Sequence, residues 1–442
     1  MQLRLMSLPQ ALRALRSTNF RRYYFGQTIS QLGSWMQSVA IMWLAYRLTN
    51  STTATGTIGF LALIPFLFVT PIAGALSDRV SRRKLLMVVQ TIFFFHAATL
   101  AVMTYTGHMT VHILGVFAFI GGTLSALEVT TRHSFFVQLV GDRTDLPNAI
   151  ALNSANINAT RLIGPALGGL LIAAVGEAAC FGINAVSYLA VVYQLKRIKP
   201  NASGRIATGQ SLARDLIEGW RIALTSPIIL PLVLIVGLVS FAINPYSILM
   251  PAIAVETFGK GAELHGIFVS AVGIGALTGA ILLARRENVR GLARWVAITA
   301  SIAAVGAIMF SVFASMQNTT MSIVGMALVG MGLMGTSATV NTIIQTVVDD
   351  DKRGRVVSVY STFFAGGAPL GHVFAGWTAA HFGAPFAYMM LGIICAIGAA
   401  AFAINLPNLK RHLRQAYLDR GIIPPAPASA ATLTASESPQ EK

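Results

Sequence analysis

Long apolar stretches alternate with short polar turns along most of the chain. Stretches of about 20 residues match the roughly 30 Å hydrocarbon core of a bilayer. The pattern therefore predicts an all-α integral membrane protein with twelve transmembrane helices. The predicted helices lie near residues 24–48, 56–76, 85–105, 110–132, 148–175, 178–195, 228–250, 264–284, 295–315, 320–347, 357–381 and 384–405.

The longest polar connection, residues 196–227, divides the predicted helices into two groups of six. Its residues 212–224 carry apolar side chains at helical spacing, which predicts an amphipathic helix at the membrane interface. Gly164-Pro165 in the first group has a counterpart, Ala368-Pro369, in the second, as expected for an internal repeat. The predicted organisation is an N-terminal cytoplasmic arm (1–23), an N-terminal six-helix bundle (24–195), a cytoplasmic linker (196–227), a C-terminal six-helix bundle (228–405) and a cytoplasmic, largely disordered tail (406–442).

Composition and charge agree with this prediction. Only 11% of the residues are charged and 55% are hydrophobic, whereas soluble domains carry about a quarter charged residues. The formal net charge of +16 would suit nucleic acid, but the Lys and Arg residues gather in the N-terminal arm, in alternate loops and in the tail. This positive-inside pattern places both termini in the cytoplasm and favours contact with membrane lipid instead of nucleic acid.

The turn after the second predicted helix combines one acid with four cations. Its candidate gating residues are Gly74, Leu76, Asp78, Arg79, Arg82, Arg83 and Lys84. Cations at a membrane exit fix its sidedness, but that role has no need of Asp78. An acid at the end of one helix is well placed to face the positively polarised N-terminus of a neighbour. We therefore favour a latch, and a pure topology signal is the alternative.

The residues of this turn resemble the signature loop of the major facilitator superfamily. A second motif, Gly164, Pro165, Gly168 and Gly169, resembles the Gly-Pro motif of its exporters, where it acts as a packing face, a hinge or both. Further similarity lies at Gly26-Gln27, at Leu32-Gly33-Ser34, and at Asn184-Ala185 with Ser187-Tyr188-Leu189. Over residues 19–406 these motifs resemble the branch that holds the enterobactin exporter and macrolide efflux pumps.

The resemblance implies the major facilitator fold, in which two pseudo-symmetric six-helix bundles rock around a central cavity. It implies that Asp78 meets the eleventh helix when the inner gate closes. It also implies that Arg82 pairs with an acid on the fourth helix, for which Glu128 is the candidate.

Glu128, Arg132 and Arg161 are charged residues that lie inside predicted helices. A charge within the membrane is costly and is therefore a functional hypothesis by default. Arg132 follows Glu128 by one helical turn, in the order that favours an ion pair. Glu128 either exchanges a proton or forms a permanent structural network with the two arginines. His372, in the middle of the eleventh helix, is similarly either a titrating or a packing residue.

Polar side chains recur on one face of the first and tenth predicted helices and beside a proline in the seventh. The candidate substrate-cavity residues are Gln27, Gln31, Ser34, Asn244, Tyr246, Ser337 and Asn341. The resemblance implies that helices one, four, seven and ten line the cavity. Hydrogen bonding between helices is the alternative role. The surface has no deep cluster of charges and so suits a bulky, partly apolar cargo.

Together the sequence predicts a secondary active transporter, a proton-coupled exporter of a small amphiphilic drug, siderophore or metabolite. An uptake carrier or uniporter on the same scaffold is the alternative, and a membrane scaffold or sensor without transport is less favoured. The sequence has no hydrolase pattern, phosphate-binding loop or metal-ligand spacing. We therefore expect no enzyme activity, no metal and no cofactor, with the proton gradient as energy source. We expect a multi-pass monomer in the bacterial cytoplasmic (inner) membrane.

Asp78→Asn is expected to reduce transport in proteoliposomes several-fold while expression stays normal. The amide keeps the shape of the side chain but removes a charge that is worth up to about 2 kcal/mol near a helix terminus. Lys84→Gln, which changes a charge in the same turn without touching the acid, is the matched control. If Asp78→Asn transports like the control, the turn is a topology signal only.

Overall fold

The computed structural model describes residues 10–136, 139–140, 143–198, 212–286 and 288–422. These residues form helices and short connections, with no strand among them. The α-helices are α1 (Thr18–Thr49), α2 (Thr52–Leu63), α3 (Pro65–Arg79), α4 (Arg82–Tyr105), α5 (Val111–Phe136), α6 (Leu146–Val175), α7 (Glu177–Arg197), α8 (Leu212–Thr225), α9 (Ile229–Ile243), α10 (Tyr246–Ala252), α11 (Ala262–Ala284), α12 (Leu292–Ser315), α13 (Thr319–Val347), α14 (Asp350–Phe382) and α15 (Ala384–Asp419). Short 3-10 helices occupy Gln10–Arg16 and Arg143–Asp145, and a π-helical turn occupies Ile253–Thr257.

Two of the predicted spans are interrupted helices. The second consists of α2 and α3, which meet at Pro65, and the seventh consists of α9, α10 and the π-helical turn, with a break at Asn244-Pro245. Proline causes both breaks because it has no N–H to donate to the preceding turn. Neighbouring helices can satisfy the freed backbone groups, so such breaks are tolerated within a membrane.

Ten helical segments among the described residues are long and apolar enough to cross a membrane. The first and eleventh predicted spans, α1 and α14, have 32 and 33 residues but are more polar than the ten. Their polar side chains lie largely in the interior, as Gln27 and Gln37 of α1 and Thr378 of α14 illustrate. The all-helical membrane fold is confirmed, and the full count of twelve stays a prediction for these two helices.

Helices within each half pack through glycines that bring backbones into contact. At the crossing of α11 and α13, a Cβ added to Gly275 would lie 1.7 Å from the carbonyl oxygen of Ala327. At the same crossing, a Cβ added to Gly330 would lie 1.9 Å from the carbonyl oxygen of Val272. Small residues are how membrane helices gain packing contacts that lipid cannot offer.

The connections gather at two ends of the bundle. We call the end with the α3–α4, α7–α8, α11–α12 and α13–α14 connections the basic end, and the opposite end the short-loop end. At the basic end, Arg83 donates from Nε to the carbonyl of Leu195 (2.7 Å) and from Nη2 to that of Lys196 (2.8 Å), which caps α7. At the short-loop end, Gly176 and Gly383 turn the chain with φ of +86° and +85°, a conformation that favours glycine.

The predicted linker helix forms as α8 and docks on α14. Glu218 Oε2 lies 2.8 Å from Arg355 Nη1, and the Trp220 and Phe363 rings lie 5.6 Å apart. A Cβ added to Gly219 would lie 2.7 Å from the Arg355 carbonyl oxygen. The linker helix is therefore held by the C-terminal half, and its position at the membrane interface stays a prediction.

The C-terminal bundle extends beyond the predicted boundary at residue 405. Helix α15 continues to Asp419 because Leu409, Leu413 and Tyr417 recur every four residues and are buried on one face. Arg420 then reaches Asp349 before α14, with Nη2 and Oδ1 2.5 Å apart. The predicted disordered tail began at residue 406; its part from residue 423, the arm before residue 10 and linker residues 199–211 lie outside the described residues.

Gly275→Ala is expected to lower the thermal unfolding temperature of the protein in detergent. The added methyl group would overlap the α13 backbone, and overpacking of this kind costs about 1–3 kcal/mol. Gly182→Ala is the matched control, because an added Cβ at Gly182 in α7 meets nothing within 4 Å. Equal unfolding temperatures for the two variants would contradict the α11–α13 packing.

Candidate functional site

The two halves of the bundle meet at the short-loop end, where α2 crosses α14 and α6 crosses α11. In the first crossing, a Cβ added to Gly56 would lie 3.1 Å from Cα of Gly376, and Thr52 Oγ1 donates to the Gly376 carbonyl at 3.0 Å. In the second, a Cβ added to Gly169 would lie 3.0 Å from Cα of Gly266. Glycine on both sides allows each pair of backbones to touch.

Pro165 in α6 frees a backbone carbonyl that the other half contacts. Proline has no N–H, so the carbonyl of Arg161, four residues earlier, receives no helical hydrogen bond. Gly273 of α11 packs against it, and a Cβ added there would lie 2.9 Å from that oxygen. The Gly-Pro motif therefore forms part of the surface between the halves, while its role as a hinge stays a prediction.

The other two glycines of this motif, Gly164 and Gly168, face helix α1. A Cβ added to Gly164 would lie 2.5 Å from Cβ of Trp35, and one added to Gly168 would lie 3.0 Å from Cα of Met36. Helix α6 is thus packed closely on two sides, against its own half and against α11.

Two side-chain contacts also join α1 to the C-terminal half near the short-loop end. The hydroxyl of Tyr46 donates a hydrogen bond to the Glu256 carboxylate in the π-helical turn. The rings of Trp43 and His265 stack with centroids 6.2 Å apart. A π-helical turn is uncommon and is frequent at functional sites. These contacts reinforce the closure of this end.

The glycine contacts between the halves do not continue to the basic end. A Cβ added to Gly366 of α14 would still lie 3.1 Å from Leu67 Cδ2 of α3. Closer to the basic end, an added Cβ at Gly74 of α3 has no neighbour within 4 Å. The described glycine contacts between the halves thus lie between the short-loop end and the level of Gly366 and Gly273.

A cavity of about 360 Å³ lies within the N-terminal half, between α1, the α2–α3 break, α4, α5 and α7. Its polar lining consists of Gln27, Ser30, Gln31, Ser34, Gln37, Ser38, Gln90, His96, Ser125, Glu128, Arg132 and Tyr188. Phe66, Phe93 and Phe117 form an aromatic part of its wall. The cavity therefore offers amides, hydroxyls and aromatic rings to one occupant.

Glu128 and Arg132 form the charged part of this cavity. Arg132 Nε lies 3.0 Å from Glu128 Oε1, and their side chains are only 13% and 11% exposed. Arg132 Nη1 has no hydrogen-bond partner among the described residues. The ion pair brings both charges to the wall of the cavity.

The predicted charge network is only partly present. The ion pair of Glu128 is with Arg132 and not with Arg82, which begins α4 at the basic end. Arg161 lies elsewhere, with its guanidinium carbon 5.2 Å from the centroid of the Trp35 ring. Its place in the surface between α6 and α11 explains this separation, so the expected three-residue network is wrong for this conformation.

Three of the predicted cavity residues, Gln27, Gln31 and Ser34, line the cavity together. Gln31 Oε1 accepts hydrogen bonds from Asn156 Nδ2 (3.2 Å) and Thr160 Oγ1 (3.3 Å) of α6. Gln27 Oε1 has no partner among the described residues. One amide is thus fixed by a neighbouring helix and the other is available to an occupant.

The four predicted cavity residues of the C-terminal half do not line this cavity. Asn244 Nδ2 donates to Ser240 Oγ (2.8 Å), Tyr246 is buried, and Ser337 Oγ donates to the carbonyl of Met334 (3.3 Å). Asn341 Oδ1 is buried without a hydrogen-bond partner among the described residues. Both of these bonds lie within one helix, so they are not the hydrogen bonds between helices that were the alternative role.

The signature turn lies at the basic end, between α3 and α4. Asp78 and Arg79 end α3, but their side chains lie outside the described residues, so the latch stays a prediction. Arg83, expected among the gating cations, instead caps α7 of its own half. Lys84 is exposed and Leu76 is half-buried.

His372 of α14 lies against α2 in the interface between the halves. A Cβ added to Gly59 would lie 2.6 Å from His372 Nδ1, and Nε2 lies 3.5 Å from Ser247 Oγ. The ring is 4% exposed. It therefore sits in the closed crossing rather than in the cavity.

The sequence analysis missed several cavity residues. Gln90 Oε1 and His96 Nδ1 are buried without hydrogen-bond partners among the described residues. The two residues are six positions apart on α4 and therefore lie on different faces of the helix. They form no polar face like the one on α1, so the sequence pattern did not indicate them. Tyr188 was noted only as part of a motif. Its hydroxyl lies 3.2 Å from Ser34 Oγ and accepts from Asn184 Nδ2 at 3.1 Å.

Comparison with known proteins extends these observations. The sequence profile described as "Transmembrane secretion effector", within the major facilitator superfamily, matches residues 10–423. The chain is 23% identical to the staphyloferrin A transporter of Staphylococcus aureus over 387 residues, 84% of this chain and 92% of the relative. It is 26% identical to the enterobactin exporter EntS of Salmonella choleraesuis over 369 residues, 81% of this chain and 84% of the relative.

A solved structure shows the same fold. The crystal structure of the nucleoside transporter NupG superposes with a TM-score of 0.69 at 13% sequence identity, covering 87% of this chain and 98% of that one. At this identity the similarity concerns the fold alone.

Gly376→Ala is expected to open the short-loop end. The added methyl group would lie 2.6 Å from the Thr52 carbonyl oxygen and 3.0 Å from Cα of Gly56, so the α2–α14 crossing must separate. The measurement is alkylation of Thr55→Cys, a buried position on α2, which should rise several-fold. Gly182→Ala is the control, since an added Cβ at Gly182 meets no neighbour within 4 Å. Unchanged labelling in Gly376→Ala would show that the crossing does not hold this end closed.

Proposed function

This chain belongs to the transmembrane secretion effector family of the major facilitator superfamily, and on that premise we propose that it is a proton-coupled exporter of a small amphiphilic molecule. One observation carries the proposal: a buried ion pair, Glu128 with Arg132, faces a polar cavity inside an apolar bundle that is closed at one end. Intramembrane charges are costly and persist where they serve a transport pathway or proton relay. One chain supplies both halves, so the working unit of the proposal is a monomer.

The cargo follows from the chemistry of the cavity. Glu128 and Arg132 balance each other, so the cavity does not select a strongly charged molecule. Amide and hydroxyl groups on α1 offer hydrogen bonds, while Phe93 stacks on Tyr188 with ring centroids 4.9 Å apart and forms an apolar wall. A volume of about 360 Å³ falls within the range of small-molecule sites. A drug, siderophore or metabolite with aromatic and hydrogen-bonding parts fits this surface.

The direction of transport rests on two supports. The positive-inside rule assigns the basic end to the cytoplasm, so a bundle closed at the short-loop end is the state that receives cargo from inside. One relative is named an exporter, and it shares most of its length with this chain. Uptake or uniport on the same scaffold is the competing function, and the experiment must distinguish it from export.

Energy for export comes from the proton gradient in this proposal, with Glu128 as the exchanging group. Arg132 stabilises the ionised carboxylate, and protonation of Glu128 releases the guanidinium to other acceptors. The pair therefore has two charge states inside a closed bundle, which is what coupling of a proton to a conformational change requires.

The deciding experiment is efflux from proteoliposomes with an imposed proton gradient. A panel that includes a catecholate siderophore and a fluorescent amphiphilic dye is loaded, and movement is followed with and without an uncoupler. Export that stops with the uncoupler supports the proposal. Movement that follows only the gradient of the molecule itself would indicate a uniporter, and accumulation on the opposite side would indicate uptake.

Glu128→Gln is expected to abolish gradient-driven export while leaving downhill exchange of the same molecule. The amide keeps the shape and hydrogen bonding of the side chain but cannot release a proton. We expect a loss of at least about tenfold, corresponding to about 1.4 kcal/mol. Glu177→Gln is the matched control, since Glu177 pairs with Arg47 at 2.6 Å at the short-loop end. Full retention of gradient-driven export would assign Glu128 a purely structural role.

A further inference from the structure

A second cavity lies on the outer surface of the C-terminal half and is unlike the first in chemistry. It is a groove of about 510 Å³ between α12, α13 and α15. Apart from Arg294 and Ser301, the side chains that line it are aliphatic. Three of its lining residues are small, namely Ala297 and Ser301 on α12 and Ala403 on α15. The groove is therefore an indentation in a surface that faces lipid.

The groove runs along the helices from the basic end into the apolar region. On α12 it extends from Arg294 to Val305, which are eleven residues apart. At 1.5 Å per residue this is about 16 Å, close to half of the roughly 30 Å hydrocarbon core. The length thus corresponds to one leaflet of a bilayer.

The mouth of the groove carries positive charge, and no acid is among the described residues that line it. Arg294 is exposed and makes no ion pair or hydrogen bond with another described residue. On α15, Lys410 follows the lining residue Leu406 by one turn and is exposed on the same face. Helices α12 and α13 contain no Asp or Glu. Two cations therefore stand where lipid headgroups of this leaflet would lie.

We propose that this groove is a binding site for an anionic phospholipid, with one acyl chain between α12 and α15 and the phosphate at Arg294 and Lys410. The argument rests on charge complementarity at the mouth and on a length that matches one leaflet. Basic pockets between membrane helices on the cytoplasmic side hold anionic headgroups in this way. The inference is independent of the transported cargo and of the proposed role of Glu128.

The test is retention of phosphatidylglycerol by the purified full chain in native mass spectrometry, after delipidation and titration with that lipid. The wild type should bind one molecule more tightly than phosphatidylcholine. Arg294→Gln and Lys410→Gln should each weaken binding about fivefold, which converts from about 1 kcal/mol per cation. Arg411→Gln is the charge control. It neutralises a cation that is next to Lys410 in the sequence but lies one position away from the face that borders the groove.

A second pair of variants tests the groove itself. Ala403→Phe fills the groove and should reduce phosphatidylglycerol retention at least tenfold, whereas Ala401→Phe, exposed on the same helix but outside the lining, should not. If the Ala403→Phe variant folds poorly, Ser301→Leu on α12 serves as a second variant that fills the groove. Equal retention of phosphatidylcholine, or equal retention by the Ala403→Phe and Ala401→Phe variants, would overturn the proposal.

Discussion

Helices in a bilayer gain little from burying apolar side chains against one another, because lipid tails are equally apolar. Close contact between helix backbones is the remaining source of packing energy. In this protein it determines where the two halves can touch. The Gly56–Gly376 and Gly169–Gly266 contacts are possible only without side chains, and both lie near the short-loop end. The close contact of the halves at that end follows from these crossings.

The same constraint explains the role of proline in α6. A proline inside a membrane helix leaves one carbonyl without its helical donor, and a polar group without a partner is costly in hydrocarbon. The Arg161 carbonyl lies against Gly273 of α11, at the interface of the halves. The motif that looked like a hinge in the sequence is thus also part of the contact between the halves at this level.

The sequence predicted the helices well because their length and hydropathy are set by the bilayer, not by details of packing. It predicted the Glu128–Arg132 pair because residues one turn apart on a helix are neighbours whatever surrounds them. It could not indicate partners that lie on another helix, such as Trp35 for Arg161 and the end of α7 for Arg83. It also ended the last bundle too early, since the spacing of Leu409, Leu413 and Tyr417 continues a buried face past the end of the apolar run.

The surroundings of the Glu128–Arg132 pair bear on which role Glu128 plays. Buried groups without a hydrogen-bond partner occur in both halves, for example Gln90 in the first and Asn341 in the second. What distinguishes the Glu128–Arg132 pair is that it is charged and borders a cavity. A brace is best packed on all sides by protein, because a charge within the membrane is costly. A charged pair on the wall of a cavity can meet water, a proton or cargo, and this favours exchange over bracing as the role of Glu128.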